Sequence, residues 1–229
     1  MKPPIYEPKG AALEYCEWAL NIYTQCPHAC SYCYCPKVLH KDPKDFFSGA
    51  TPRKNIVEEV RKQISREHIT GRLVHLCFSG DPYPTGYDST PTREIIQLLK
   101  ETGNHVQILT KGDGSRDFDL LDDNDWYGIT IDGQYEYDKY VSKLSILQKA
   151  KMLGINTWVS FEPVLNAKNV LDVIRTFHSD FDKAKIGKLN YFPSDINWKA
   201  FGWSAEQLCK SLGLDYYIKE SLRKEMEKG

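Results

Sequence analysis

The chain has 229 residues, 41% hydrophobic and 27% charged, with a formal net charge of −1 and seven cysteines. That length suits one domain with a substantial core, and no apolar run approaches the roughly 20 residues of a membrane span. A near-neutral chain has no general pull toward nucleic acid. An odd cysteine count with three in one short stretch is not a disulfide framework, so a reducing, cytoplasmic setting is expected. The first residues, Met1-Lys2-Pro3-Pro4-Ile5-Tyr6, have no apolar h-region and predict no signal peptide.

Residues 1–17 read as an irregular lead-in. Trp18 to Tyr23 (WALNIY) predicts a strand that delivers the cysteine-rich stretch from its carboxyl end. Lys37 to Pro52 is polar and turn-rich. Ile56, Val57, Val60 and Ile64 then recur at helical spacing among charges. Leu73 to Phe78 is a short apolar run ended by Ser79-Gly80-Asp81-Pro82, which predicts a strand. Pro91 marks a helix start, Ile95, Ile96, Leu98 and Leu99 give its apolar side, and Gly103 closes it.

His105 to Thr110 and Trp126 to Ile131 are the next two strands. Leu144, Ile146, Leu147, Ala150 and Leu153 mark a helix ending at Gly154. Ile155 to Phe161 is a strand ended by Glu162-Pro163. Val170, Leu171, Val173, Ile174 and Phe177 form another helix face, and Ala184 to Leu189 a weaker strand. From about Ala205 the tail reads as helical, with a break near Gly213.

Strands thus alternate with helices about six times, the βα repeat of a parallel sheet with helices outside. Eight units need about 250 residues, so an α/β, incomplete (β/α)6 TIM-like barrel is expected. One domain over 1–229 is expected, with 1–17 as lead-in, 18–190 as barrel and 191–229 as a C-terminal extension. In such barrels the functional groups sit at the carboxyl ends of the strands.

Two stretches are biased in composition. Asp113, Asp117, Asp119, Asp122, Asp123 and Asp125 crowd one loop with Arg116 the only cation among them, which reads as a solvated surface loop. Residues 183–203 interleave Lys183, Lys185, Lys188 and Lys199 with Tyr191, Phe192, Trp198, Phe201 and Trp203, a mixture that suits either a core or stacking on an exposed base.

The stretch that carries chemistry is Cys26-Pro27-His28-Ala29-Cys30-Ser31-Tyr32-Cys33-Tyr34. Three thiolates on one tight loop can hold three irons of a [4Fe–4S] cube and leave the fourth open, whereas electron-transfer clusters generally have four cysteine ligands. Zinc, with Cys35 or His28 as a cramped fourth ligand, and buried structural thiols are the other readings.

At this spacing, C-x3-C-x2-C, the loop resembles the radical S-adenosylmethionine (SAM) superfamily. With Ser79-Gly80-Asp81-Pro82-Tyr83, Thr110-Lys111 and Phe161-Glu162-Pro163-Val164, the chain resembles the spore photoproduct lyase and DNA repair photolyase branch over roughly residues 18–190. The resemblance implies a [4Fe–4S] cluster on Cys26, Cys30 and Cys33, with SAM chelating the open iron and cleaved reductively to methionine and a 5′-deoxyadenosyl radical. It implies Tyr32 near the adenine and Ser79, Gly80 and Asp81 at the SAM amino group. Lys111 would meet the SAM carboxylate, and Thr130, Ser160 and Glu162 the methionine or ribose.

The resemblance also implies a tyrosine for radical transfer and a cysteine for hydrogen-atom donation; Tyr34, one residue beyond the three cysteines, and Cys77, which shares strand parity with Ser79, are the candidates. The implied reaction is radical chemistry on a nucleobase or nucleic acid, with an electron donor such as flavodoxin or ferredoxin, in a monomer away from membranes. Modification of a peptide, protein or metabolite by the same front end, and a metal-binding interaction module, are the alternatives.

Overall fold

The computed structural model describes residues 3–228. The chain divides into two compact units, with the boundary between Trp126 and Tyr127.

The first unit runs β1 (Ile5–Tyr6), β2 (Trp18–Leu20), α1 (Cys35–Val38), α2 (Pro43–Phe47), α3 (Ile56–Glu67), β3 (Leu73–Leu76), α4 (Thr90–Glu101) and β4 (His105–Thr110). β2, β3 and β4 are parallel neighbours with Leu20 opposite Leu76 and Leu76 opposite Ile108, while β1 lies antiparallel to β2. Period-2 alternation puts Val74 and Leu76 with Val106 and Ile108 on one face, all fully buried. The opposite face is buried as well but carries His75 and Gln107, joined at 3.0 Å.

Each helix follows from local sequence. α3 buries the stripe Ile56, Val60, Gln63 and Ile64 between two residues in the left-handed region, Asn55 before it and His68 after it. α4 has Pro91 in its first turn, where no intrahelical donor is lost. Asp88 accepts from the Thr90 N–H at 2.9 Å just ahead of that turn.

The second unit runs β5 (Trp126–Thr130, all but its first residue), α5 (Val141–Met152), β6 (Asn156–Phe161), α6 (Ala167–Phe177), β7 (Lys183–Ile186), α7 (Trp198–Leu212), β8 (Asp215–Ile218) and α8 (Glu220–Met226). β6, β7 and β8 are parallel, with Phe161, Ile186 and Ile218 in one row. The end of β5 is held beside β6 by the Ile131 N–H to Ser160 carbonyl bond at 3.0 Å. Gly128 lets the Trp158 indole lie on the β5 backbone, since a Cβ there would stand 2.2 Å from the indole nitrogen.

Four stretches differ from the sequence expectation. The lead-in contains β1 and a 3-10 turn at Gly10–Glu14. The turn-rich 37–52 segment takes in the end of α1, which has Pro36 in its first turn, and all of α2, capped by Asp42. The aspartate-rich loop is partly core: Asp117 and Asp125 are fully buried. Arg93 on α4 bonds Asp117 and Asp119, and Lys100 bonds Asp122 and Asp125, so cations from outside the loop neutralise it. The tail is not purely helical; Gly213, at φ 64°, caps α7 and Asp215–Ile218 pairs with β7.

Candidate active site

The cysteine loop leaves the end of β2 and is anchored along its length. Thr24 N–H donates to the Thr51 carbonyl at 2.9 Å and Cys26 N–H to the Phe46 carbonyl at 3.0 Å. Gln25 Nε2 reaches the Asp45 carbonyl at 2.7 Å, and Lys41 Nζ the Thr24 carbonyl at 2.6 Å. The 37–52 segment is therefore the outer wall of the loop. Ala29 takes φ 46° between the first two cysteines, and Cys33 N–H closes a turn on the Cys30 carbonyl at 2.9 Å.

Cys26, Cys30 and Cys33 are half-buried thiols outside any disulfide, close enough that Cys30 and Cys33 both act electrostatically on Cys26. Burial pushes Cys26 up to about 12. Cys33 is lowered to about 7, first by a hydrogen bond from the Cys35 thiol and also by the Lys111 charge. Cys35 itself is buried at the start of α1, 3.7 Å from the Phe78 carbonyl. Three soft donors on one loop, with neighbours that favour at least one thiolate, fit an iron–sulfur group.

Asp81 is the joint of the site. It is 7% exposed. Its Oδ1 accepts from Tyr83 N–H at 2.8 Å and from the Thr110 hydroxyl at 2.5 Å, and its Oδ2 from Lys111 N–H at 2.8 Å. One carboxylate thus ties the turn after β3 to the end of β4. His28 adds the cysteine loop: its Nε2 accepts from Thr85 N–H at 3.3 Å, which leaves the Nδ1 proton facing Asp81 Oδ2 at 3.9 Å. Gly112 completes the fit, because a Cβ there would stand 1.9 Å from the Tyr83 carbonyl oxygen.

Around this joint lie the other candidates of the first unit. Lys111 Nζ donates to Tyr32 Oη at 2.5 Å and sits 5.1 Å from that ring's centroid. Phe78 and Ser79 N–H both donate to Asn21 Oδ1 at 2.8 Å, which fixes the turn after β3. Ser79 Oγ is buried without a hydrogen-bond partner among the described residues. At Gly80 a Cβ would come within 3.3 Å of the Gln25 carbonyl, so the backbone approaches the cysteine loop closely. An orphan hydroxyl beside a bare backbone fits a polar ligand such as SAM.

Cys77 is 7% exposed. Its thiol bonds the Ile22 backbone and is raised to about 12 by burial. Tyr34 is 44% exposed and lies just ahead of α1.

Thr130, Ser160 and Glu162 belong to the second unit, at the carboxyl ends of β5 and β6. Ser160 is fully buried, and Glu162 Oε2 accepts from Lys219 Nζ at 2.6 Å. The lysine and aromatic stretch splits. Lys183 pairs with Asp215, Lys188 with Glu225, and Phe201 is core, while Tyr191 and Phe192 are exposed.

Sequence reasoning missed Asn21 and Lys219, had Thr110 only as part of the Thr110-Lys111 motif without a role, and saw His28 only as a zinc ligand. Asn21 had a visible signal, being the one amide in the apolar run WALNIY.

The profile of the family described as Radical SAM superfamily matches residues 20–179. An uncharacterized protein of Mycobacterium tuberculosis (strain ATCC 25618 / H37Rv) is 31% identical over 112 residues, 46% of this chain and 32% of that protein. The match therefore spans about a third of that relative's length.

Among solved structures, spore photoproduct lyase complexed with dinucleoside spore photoproduct is similar with a TM-score of 0.69 at 11% identity, over 93% of this chain and 79% of that one. SuiB of Streptococcus suis, bound to precursor peptide SuiA, has a TM-score of 0.63 at 8% identity, over 87% of this chain and 48% of that one. These likenesses give the fold: α/β, the incomplete barrel expected from the sequence.

Proposed function

Because this chain belongs to the radical SAM superfamily, we propose that it is an enzyme that cleaves SAM reductively and starts radical chemistry on a nucleobase or nucleic acid. The observation that carries the reading is the joint at Asp81, which links the three-thiol loop, the Ser79–Gly80 turn and Lys111. In this reading Cys26, Cys30 and Cys33 hold a [4Fe–4S] cluster, with Cys35 outside the ligand set. The cluster, when bound, supplies the reductive cleavage of SAM; the chain's own residues bind, orient and shield.

Tyr32 offers a ring to the adenine. Ser79 Oγ and the Gly80 backbone offer polar atoms to the SAM amino group. Asp81 acts mainly by positioning, since both its oxygens already accept hydrogen bonds from this chain. Lys111 is the carboxylate partner, held ready by the Tyr32 hydroxyl. Lys111→Ala is expected to weaken SAM binding roughly ten- to a hundredfold, the worth of a charge-assisted hydrogen bond of about 1.5–3 kcal/mol. Calorimetry on iron-loaded protein checks it; wild-type affinity in that variant removes Lys111 from the site.

The nucleobase assignment is supported by the likeness to spore photoproduct lyase, a structure complexed with a dinucleoside. SuiB, bound to a precursor peptide, supports peptide modification as the second reading. Anaerobic turnover with SAM and dithionite decides between them. Deuterated thymidine oligonucleotide and deuterated peptide pools are supplied in parallel, and 5′-deoxyadenosine is analysed by mass spectrometry. Deuterium is expected in 5′-deoxyadenosine from the oligonucleotide pool. Label arriving only from peptide overturns the nucleobase reading, and no 5′-deoxyadenosine at all overturns both.

A further inference from the structure

The charged side chains of the second unit's sheet share one face of β6, β7 and β8. The parallel register sets Ser160, Lys185 and Tyr217 in one row. The next row holds Glu162, Gly187 and Lys219, fixed by Gly187 N–H to the Phe161 carbonyl at 3.0 Å and Lys219 N–H to the Ile186 carbonyl at 2.8 Å. The alternate residues, Val159, Phe161, Ala184, Ile186 and Ile218, are apolar and buried. One face is therefore oily; the other carries Lys185, Lys219 and Glu162 toward its carboxyl end, while Lys183 and Asp215 pair with each other at its start.

Those charges are buried. Lys185 is 9% and Lys219 3% exposed. Lys185 Nζ lies 5.2 Å from the Trp158 ring centroid. Glu162 reaches Lys219 at 2.6 Å across Gly187, whose missing side chain is a condition of that path, because a Cβ there would stand 2.8 Å from the Glu162 carboxyl carbon. A buried ion pair is a poor source of stability, and apolar residues of similar volume serve a core as well or better. Buried ammonium groups at the carboxyl ends of parallel strands, with a glutamate to orient one of them, suit an anion-binding floor.

The loops leaving the same strand ends carry exposed rings. Tyr191, 82% exposed, and Phe192, 41% exposed, follow β7; Tyr135 and Tyr137 follow β5. Ring faces accept any nucleobase by stacking, and an ammonium is a suitable point charge for phosphate.

We propose that this face of the second unit binds a phosphodiester-linked nucleotide, with Lys185 and Lys219 on the phosphate, Glu162 orienting Lys219, and Tyr191 and Phe192 stacking on the bases. The assignment rests on the nucleobase reading and names the groups that recognise its substrate. It gives Glu162, expected from the resemblance at the SAM methionine or ribose, the task of orienting Lys219 instead.

The test is calorimetric titration with the dinucleotide dTpdT and with its uncharged methylphosphonate analogue. Wild-type protein is expected to bind dTpdT about tenfold or more tightly than the analogue. Lys185→Met is expected to lose that preference and Lys185→Arg to keep most of it. Equal wild-type affinity for the two ligands overturns the proposal without reference to any variant. So does an undiminished preference in Lys185→Met, or tighter binding of an acidic tetrapeptide than of dTpdT. Iron content and SAM cleavage, measured separately on the wild-type chain, test the radical reading; a failure there leaves the titration result standing, and the reverse holds.

Discussion

Reconstituted anaerobically with iron and sulfide, the Cys30→Ala chain should bind little iron and show no detectable SAM cleavage. A loss of at least about a thousandfold in rate is expected, more than 4 kcal/mol of barrier. The argument is one of donor number. The loop offers three half-buried thiols, and removing the middle one leaves two, fewer than a cube with one open iron needs. Cys30 is a sharper choice than Cys33, because the Cys35 thiol hydrogen-bonds Cys33 and would confuse a Cys33 variant. Cys16→Ala, Cys35→Ala and Cys209→Ala should keep wild-type iron content. Full iron and activity in Cys30→Ala would sink the reading; iron loss in Cys35→Ala would move the ligand assignment to that residue.

The difference between what the sequence disclosed and what it hid has a physical pattern. The strands of the βα repeat were legible where apolar runs were long and bounded, as in His105–Thr110 and Asn156–Phe161. β1 and β8 were not: β1 has two residues, and β8 buries only Ile218 of its four, so neither shows an apolar run and both are seen through pairing with a neighbour. The motif residues were legible because their spacing is local. What joins them was not. Asp81 and Thr110 are 29 residues apart in the chain, and Asn21 and Ser79 are 58.

The aspartate-rich loop was misread for the same reason. Its counter-charges, Arg93 and Lys100, sit on a helix 22–26 residues earlier in the chain. Lys185 and Glu162 were each visible as charges; only the parallel register, with Gly187 opposite Glu162, put them on one face.

Replacing Asp81 tests the joint directly. In Asp81→Ala the N–H groups of Tyr83 and Lys111 and the Thr110 hydroxyl lose their acceptor in a site that is 7% exposed. Each orphaned buried donor costs about 1–3 kcal/mol, and the Thr110 hydroxyl can turn away, so a net loss of about 3 kcal/mol is expected. For a chain of this size that lowers the Tm by roughly 6–12 °C. Asp81→Asn should do little better. Its carbonyl oxygen can keep Tyr83 and Thr110, but its amide then points a donor at the Lys111 N–H. Both variants should also weaken SAM binding, because Lys111 and the Ser79–Gly80 turn lose their common anchor. Circular dichroism melts of the iron-free chain read the stability effect apart from the cofactor. A Tm within 2 °C of wild type (under about 1 kcal/mol at this chain length) in Asp81→Ala would show that the turn after β3 and the end of β4 hold their places without this carboxylate.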